Sequence, residues 1–154
     1  MDEVLGSNRN EKTMNAQTET PKTKLIAFHG DPAIKEKYLS RVRAHRKADN
    51  LIRGTGWDGH RGCAIGCTLE SYNHALYETE LGIPRSIARL EDGIFEGLEL
   101  NLAMEWPERV LSAITPGADL SLVTAKFMVW LLTDEADGVL RHAKTNAPAL
   151  PSRA

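Results

Sequence analysis

Apolar and polar residues alternate with helical spacing along most of the chain. The first such stretch begins at Asp31 and Pro32, a pair suited to a helix start because Asp can cap the helix and Pro fits its first turn. We expect Gly54 to end this helix. Its predicted apolar face consists of Ile34, Tyr38, Val42, Leu51 and Ile52.

Four more helices are predicted from the same signals, namely apolar residues three or four positions apart and suitable residues at the ends. They are a second helix over 63–81 closed by Gly82, a third opened by Pro84, a short fourth opened by Pro107, and a fifth capped by Asp119 that continues to about His142. The apolar run 25–28 allows one short extended segment. The predicted fold is therefore all-α, an irregular bundle of about five helices.

Both ends of the chain lack this pattern. Residues 1–23 are polar and carry too few apolar groups to offset the entropy of ordering, so we predict a disordered N-terminal tail. Residues 145–154 are predicted to fray. A single helical domain over 24–144 is expected between the two tails.

The composition is that of an ordinary globular protein. Of the 154 residues, 42% are apolar and 26% are charged, and the formal net charge is −2. Two cysteines are too few for a disulfide framework, which favours a reducing compartment. Because no run of about 18 apolar residues is present, we expect a cytoplasmic protein that does not contact membranes.

Charge is unevenly distributed along the chain. Residues 35–53 carry seven Lys/Arg against two acidic residues, a net charge of +5, whereas residues 70–108 carry nine acidic residues against two arginines, a net charge of −7. The simplest interpretation is that the basic first helix packs against the acidic region. The alternative is a basic binding face that includes Arg41 and Arg43. The lack of interleaved aromatic residues and of any nucleic-acid motif argues against nucleic acid as its partner.

Residues 54–62, GTGWDGHRG, are too rich in glycine for a regular element and are predicted to form a loop. Residues 54–59 match the dinucleotide pattern G-x-G-x-x-G, but a helix rather than a strand precedes them, so we interpret the match as accidental. Trp57 is the one large apolar residue of the loop. It is expected to fold back onto the core or, alternatively, to anchor a partner or ligand.

Residues 63–78 contain the most chemically active side chains. If they form one continuous helix, its apolar face consists of Ile65, Leu69, Tyr72 and Leu76. The opposite face then carries Cys63, Cys67, Glu70, His74 and Glu78.

This second face has three interpretations. It can be ordinary packing, because cysteine often behaves as a small buried apolar residue. It can be a metal site, most simply for zinc, with ligands drawn from Cys63, Cys67, His74 and Glu78 and with His60 as a further ligand from the loop. It can also be a reactive thiol, in which a helix N-terminus stabilises the Cys63 thiolate and His60 acts as the base.

A second group of acidic residues lies on the predicted third helix. Glu91, Asp92 and Glu96 could perform acid–base or metal chemistry, but no Glu-x-x-His accompanies them as in di-iron bundles. We therefore expect them to form a solvated polar face.

Three segments of the chain resemble an uncharacterised family of small bacterial proteins. They are GCAIGCT at 62–68, YETELGIP at 77–84 and IARLEDGIFEGL at 87–98. The likeness extends from about Ile26 to Leu132. It implies a compact bacterial or phage-related protein and carries over no functional residue.

Two functions remain open after these observations. The absence of a specific catalytic motif and the uneven charge favour a non-enzymatic interaction or regulatory protein that binds a protein partner. The alternative is a metal-binding or reactive-thiol protein that uses the face formed by Cys63, Cys67 and His74.

Overall fold

The computed structural model of the protein describes residues 24–145, and these residues form a helical bundle. Its helices are α1 (Pro32–Lys47), α2 (Ala64–Leu69), α3 (Leu76–Leu81), α4 (Arg85–Gly97), α5 (Leu100–Ala113) and α6 (Val123–Thr133), with 3-10 turns at Ala27–Gly30 and Val139–Thr145. The described region contains isolated β-bridges but no strand, so the all-α prediction is confirmed. None of its helices is long and apolar enough to cross a membrane. The predicted disordered tail 1–23 and residues 146–154 lie outside the described residues.

Helix α2 occupies the centre of the bundle. Every residue from 62 to 69 is buried, and α2 contacts α1, α4 and α5. A helix that is buried on all sides must be apolar or hydrogen-bonded all round. The Thr68 hydroxyl meets this demand by donating a hydrogen bond to the carbonyl oxygen of Ala64, at 2.8 Å. The core around α2 includes Phe28, Tyr38, Val42, Ile65, Tyr77, Leu81, Ile83, Phe95 and Leu111.

The predicted start of α1 is confirmed, whereas its predicted end is wrong. The Asp31 carboxylate accepts a hydrogen bond from the Ala33 N–H at 2.8 Å, and Pro32 occupies the first turn. The helix ends at Lys47 rather than near Gly54. Asp49 then adopts the left-handed conformation with φ of 54°, which turns the chain away from the helix axis. Leu51 forms a bridge to Gly62 instead of extending the helix.

The predicted continuous helix over 63–81 is wrong, because two short helices replace it. Helix α2 ends where Glu70 adopts the left-handed conformation, with φ of 53°. An ion pair of 3.4 Å between Glu70 and Arg41 of α1 holds the residue at this break. Asn73 then starts a new turn, since its side-chain oxygen accepts a hydrogen bond from the Ala75 N–H. Gly82 closes α3 as predicted, with φ of 63°.

The remaining boundaries agree in part with the predictions. Pro84 directly precedes α4, as expected. Pro107 does not open a helix but lies buried inside α5, together with Ala103 and Leu111 one turn away on either side. This burial opposes the cost of a proline inside a helix, which is about 3 kcal/mol. Helix α6 begins at Val123 rather than at Asp119, whose carboxylate caps the turn before the helix by accepting from the Ser121 N–H. It ends at Thr133, before the predicted His142.

The extended segment predicted near residues 25–28 is present only at its start. The Leu120 N–H donates to the Leu25 carbonyl and the Ala27 N–H donates to the Ala118 carbonyl, at 2.8 and 2.9 Å. Residues 27–30 form a 3-10 turn instead of continuing this pairing. The chain before α1 is thereby fastened to the segment that leads into α6.

The glycine-rich loop packs its backbone directly against α2. The Gly56 carbonyl oxygen lies so close to Gly62 and Gly66 that a Cβ atom on either glycine would overlap it. The Cys63 N–H donates to the Thr55 carbonyl at 2.8 Å and secures the contact. Gly62 and Gly66 therefore allow close packing between the loop and the helix.

We predict that Gly66→Ala destabilises the protein by about 1–3 kcal/mol, because the added methyl group must displace the Gly56 backbone. Gly93→Ala is the matched control, since Gly93 also lies in a helix but has no neighbouring atom within 4 Å of an added Cβ. This control should be neutral or stabilise by up to about 1 kcal/mol. Urea unfolding of both variants gives the comparison. Equal effects at the two positions would contradict the close packing.

Candidate polar site between helices α2 and α4

Asp92 of α4 lies at the centre of a polar site on a largely apolar bundle. Its Oδ2 atom accepts a hydrogen bond from the Tyr72 hydroxyl at 3.0 Å and lies 3.0 Å from the His74 Nε2 atom. The two rings contact each other edge-on, with centroids 5.0 Å apart. Asp92 is only 8% exposed, and its other oxygen, Oδ1, is buried without a hydrogen-bond partner. One carboxylate oxygen is therefore held in place while the other is left unsatisfied.

Cys63 and Glu96 complete a group around Asp92 that we call the Cys63 cluster. The Cys63 sulfur and one carboxylate oxygen each of Asp92 and Glu96 all lie within 4.8 Å of one another. Cys63 is buried, whereas Glu96 reaches the surface, where its Oε2 accepts a hydrogen bond from the Gly54 N–H at 2.8 Å. The cluster thus extends from the interior to solvent.

The electrostatics of the site disfavour ionisation of the Cys63 thiol and of the neighbouring Tyr72 hydroxyl. Burial, followed by hydrogen bonding between the thiol and the Asp92 carboxylate, raises the pKa of the Cys63 thiol to about 12. The hydrogen bond to Asp92, followed by partial burial, raises the pKa of Tyr72 to about 12. This environment opposes the predicted stabilisation of a Cys63 thiolate by a helix N-terminus. The six-residue α2 is too short and too buried to overcome it.

The other predicted ligands do not join the Cys63 cluster. The Cys67 thiol lies by the Asn50 and Gly62 carbonyls, at 3.5 and 3.4 Å, and burial raises its pKa to about 11. The Glu78 carboxylate accepts a hydrogen bond from the Arg85 N–H at the start of α4. His60 is exposed in the glycine-rich loop. The predicted single face of the second helix is therefore wrong, because the chain breaks at Glu70.

Cys63 and His74 nevertheless both lie beside Asp92. Sequence periodicity missed Asp92 and Glu96 as their partners, and the predicted solvated acidic face is wrong for Glu91 and Asp92, which are buried. The sequence did contain one indication that these two carboxylates act together: Asp92 and Glu96 are four positions apart, which places them one helical turn apart on the same face. Only the packing of α4 against α2 shows that Cys63 lies opposite them.

Glu91 forms a second buried polar contact on α4. Its Oε2 accepts a hydrogen bond from the Tyr77 hydroxyl at 2.9 Å, and its backbone carbonyl accepts from Trp106 Nε1 at 3.1 Å. The Oε1 atom has no partner. Burial raises the pKa of Glu91 to about 8, more than the Tyr77 hydrogen bond lowers it. The carboxyl group is therefore mostly neutral at physiological pH.

The candidate binding residues of the basic helix instead make contacts within the chain. Arg43 pairs with Glu108 of α5 at 2.7 Å, and Arg41 donates to the Thr68 carbonyl at 3.0 Å in addition to pairing with Glu70. The partly buried Trp57 contacts the edge of a neighbouring histidine ring and packs against the core. The simple interpretation, in which the basic helix packs against the acidic region, is confirmed.

Helix α6 is the most exposed apolar element of the described chain. None of its residues is buried. One shallow surface depression, which we call the α6 face, is lined by Leu122, Ala125, Lys126, Val129 and Trp130. Helix α6 is held to the bundle by a hydrogen bond of 2.6 Å between the Ser86 and Thr124 hydroxyls. Phe127, on another side of the helix, lines an apolar groove with α4 and α5.

Comparison with known proteins adds no assignment. No protein-family model matches the chain, and neither the curated proteins nor the solved structures contain a significant match to it. The resemblance to a small bacterial family stays a prediction.

We predict that Glu91 makes the stability of the protein depend on pH. Its pKa is about 8 when folded against an ordinary value of 4.5, so the folded state holds a proton that the unfolded chain releases. The stabilisation is complete below pH 4.5 and is lost as the pH rises towards 8, at up to about 1.4 kcal/mol per pH unit. Glu91→Gln, which is neutral throughout, should flatten this decline. Urea unfolding at several pH values, in a chelating buffer, measures the free energy of unfolding of both proteins. If it falls with pH at the same rate in the wild type and in Glu91→Gln, the raised pKa of Glu91 is contradicted.

We also predict that both thiols react slowly in the folded protein. The raised pKa values of Cys63 and Cys67 leave almost no thiolate at neutral pH. Alkylation by iodoacetamide at pH 7 should be more than about 100-fold slower than that of an ordinary free thiol. Unfolding in guanidinium should restore the ordinary rate. Fast alkylation of the native protein at Cys63 would instead support a reactive thiol.

Proposed function

We propose that this chain is a non-enzymatic interaction protein that assembles through the α6 face, and that a second copy of the chain binds there. The observation that carries the proposal is the exposure of large apolar side chains on α6 and at its N-cap: Leu122 is 62% exposed, Val129 60% and Trp130 47%. A helix that is apolar on all sides is normally covered. Contiguous exposed apolar surface of this kind marks interaction sites.

The chemistry of the α6 face favours a second copy over a charged partner. Lys126 is its one charged residue, so two such faces bring together mainly apolar side chains. Homodimer interfaces are more apolar than those between transient partners. A twofold axis places the same surface of each chain against its counterpart, so one self-complementary helix is sufficient to form a dimer interface. The spacing of Leu122, Lys126, Val129 and Trp130 also forms the ridge that packs into a facing helix.

Two further features agree with a regulatory protein of the cytoplasm. Both cysteines are free thiols, as is usual in a reducing compartment. Arg41, Arg43 and Arg46 of α1 form ion pairs within the chain, which favours the apolar face over the basic helix as the surface available to a partner. We propose a cytoplasmic location on this basis.

Sedimentation equilibrium should give twice the mass of the chain for the wild type at micromolar concentration. The double variant Val129→Ser/Trp130→Ser should weaken association by about 2 kcal/mol or more, or about 30-fold, because buried tryptophans are common hot spots. Its fold should be retained, since both side chains are exposed.

Leu100→Ser is the matched control for this experiment. Leu100 is also an exposed leucine, 58% accessible, but it lies at the start of α5, far from the end of α5 that adjoins Phe127. This variant should remain dimeric. A monomeric wild type at every concentration, or equal weakening by the control, would overturn the proposal.

A further inference from the structure

We propose that Cys63, Asp92 and Glu96 bind a divalent transition-metal cation of the zinc class, with His74 and Tyr72 orienting the Asp92 carboxylate. This site differs from the predicted one, which combined Cys63, Cys67, His74 and Glu78 on one helix. It is also separate from helix α6, because Asp92 and Glu96 lie on the side of α4 opposite Leu90 and Ile94, which line the apolar groove with Phe127 of α6.

The spacing of the ligand atoms supports the site. The Cys63 sulfur and the two carboxylate oxygens lie within 4.8 Å of one another, so small side-chain rotations bring all three to bonding distance of one ion. Zinc accepts sulfur and oxygen ligands together, at about 2.3 and 2.0–2.2 Å. Three protein ligands leave one position of a tetrahedral ion for water or another small ligand. Exposed Glu96 provides the path from solvent.

The unsatisfied oxygen of Asp92 is a second, independent indication. Oδ1 is buried without a partner, which costs free energy unless something binds it. Oδ2 is held by Tyr72 and His74, so Oδ1 is the oxygen available to a cation. Glu96 repeats this arrangement, because its Oε2 accepts from the Gly54 N–H. Each carboxylate thus has one oxygen fixed by the protein, as is usual for the outer shell of metal sites.

Metal binding at this site also involves a proton. Cysteine binds a divalent cation as the thiolate, so the Cys63 thiol deprotonates as its sulfur binds the metal. Binding should therefore release about one proton per ion to the buffer and weaken as the pH falls.

Cobalt titration of the chelator-treated full-length chain tests the site directly. Co²⁺ should bind at one equivalent and give the near-ultraviolet charge-transfer band of a cobalt–thiolate bond, and Zn²⁺ should displace it. Cys63→Ser should abolish the band. Cys67→Ser is the matched control: Cys67 is equally buried, one helical turn away, and its loss should leave the band intact.

Two more variants separate direct ligation from effects on folding. Glu96→Gln changes an exposed side chain, so the fold should persist while zinc affinity falls more than about 100-fold. His74→Gln should keep the cobalt–thiolate band and lower affinity about 10–100-fold, as expected for an outer-shell residue. Circular dichroism checks the fold of each variant. The proposal is overturned if no band appears at millimolar Co²⁺, if the band depends on Cys67 instead, or if Glu96→Gln binds zinc as tightly as the wild type.

Discussion

The contact of the glycine-rich loop with helix α2 is the constraint on which the rest of the bundle depends. The Gly56 carbonyl occupies the space that side chains at 62 and 66 would need, and the Cys63 N–H donates to the carbonyl just before it. Because α2 is buried on all sides, its position sets those of α1, α4 and α5 around it. The same contact fixes Cys63 at the start of α2, opposite Asp92. Close backbone packing and the polar site therefore share one cause.

Helix α4 carries the main departures from a purely apolar interior. Its consecutive residues Glu91 and Asp92 are both buried but have different neighbours. Glu91 forms a hydrogen bond with Tyr77 and, through its backbone carbonyl, with Trp106 of α5. Asp92 contacts Tyr72, His74 and Cys63. Each has one oxygen without a partner. Buried carboxyl groups weaken a fold unless their hydrogen bonds are complete. Buried groups whose hydrogen bonds are incomplete lower stability and are typical of functional sites.

The parts of the fold that could be predicted from sequence are those decided by adjacent residues. Asp31-Pro32, Gly82 and Pro84 mark their helix boundaries through contacts within a few positions. The errors occur where a distant residue decides the outcome. Glu70 breaks the second helix with support from Arg41, far away in sequence. The polar site was also missed because distant residues form it. Its members come from two helices and the segment between them, and periodicity along one helix cannot predict that Asp92 lies next to Cys63.

The pairing of the segment before α1 with the segment before α6 has a consequence for the order of events during synthesis. Leu25 bonds to Leu120 and Ser121, and the latter contact spans 96 positions. Loop closure over such a span is slow compared with local helix formation. A growing chain cannot close this contact until the residues that lead into α6 have left the ribosome. This contact can therefore form only after the residues of α1 to α5 have been synthesised.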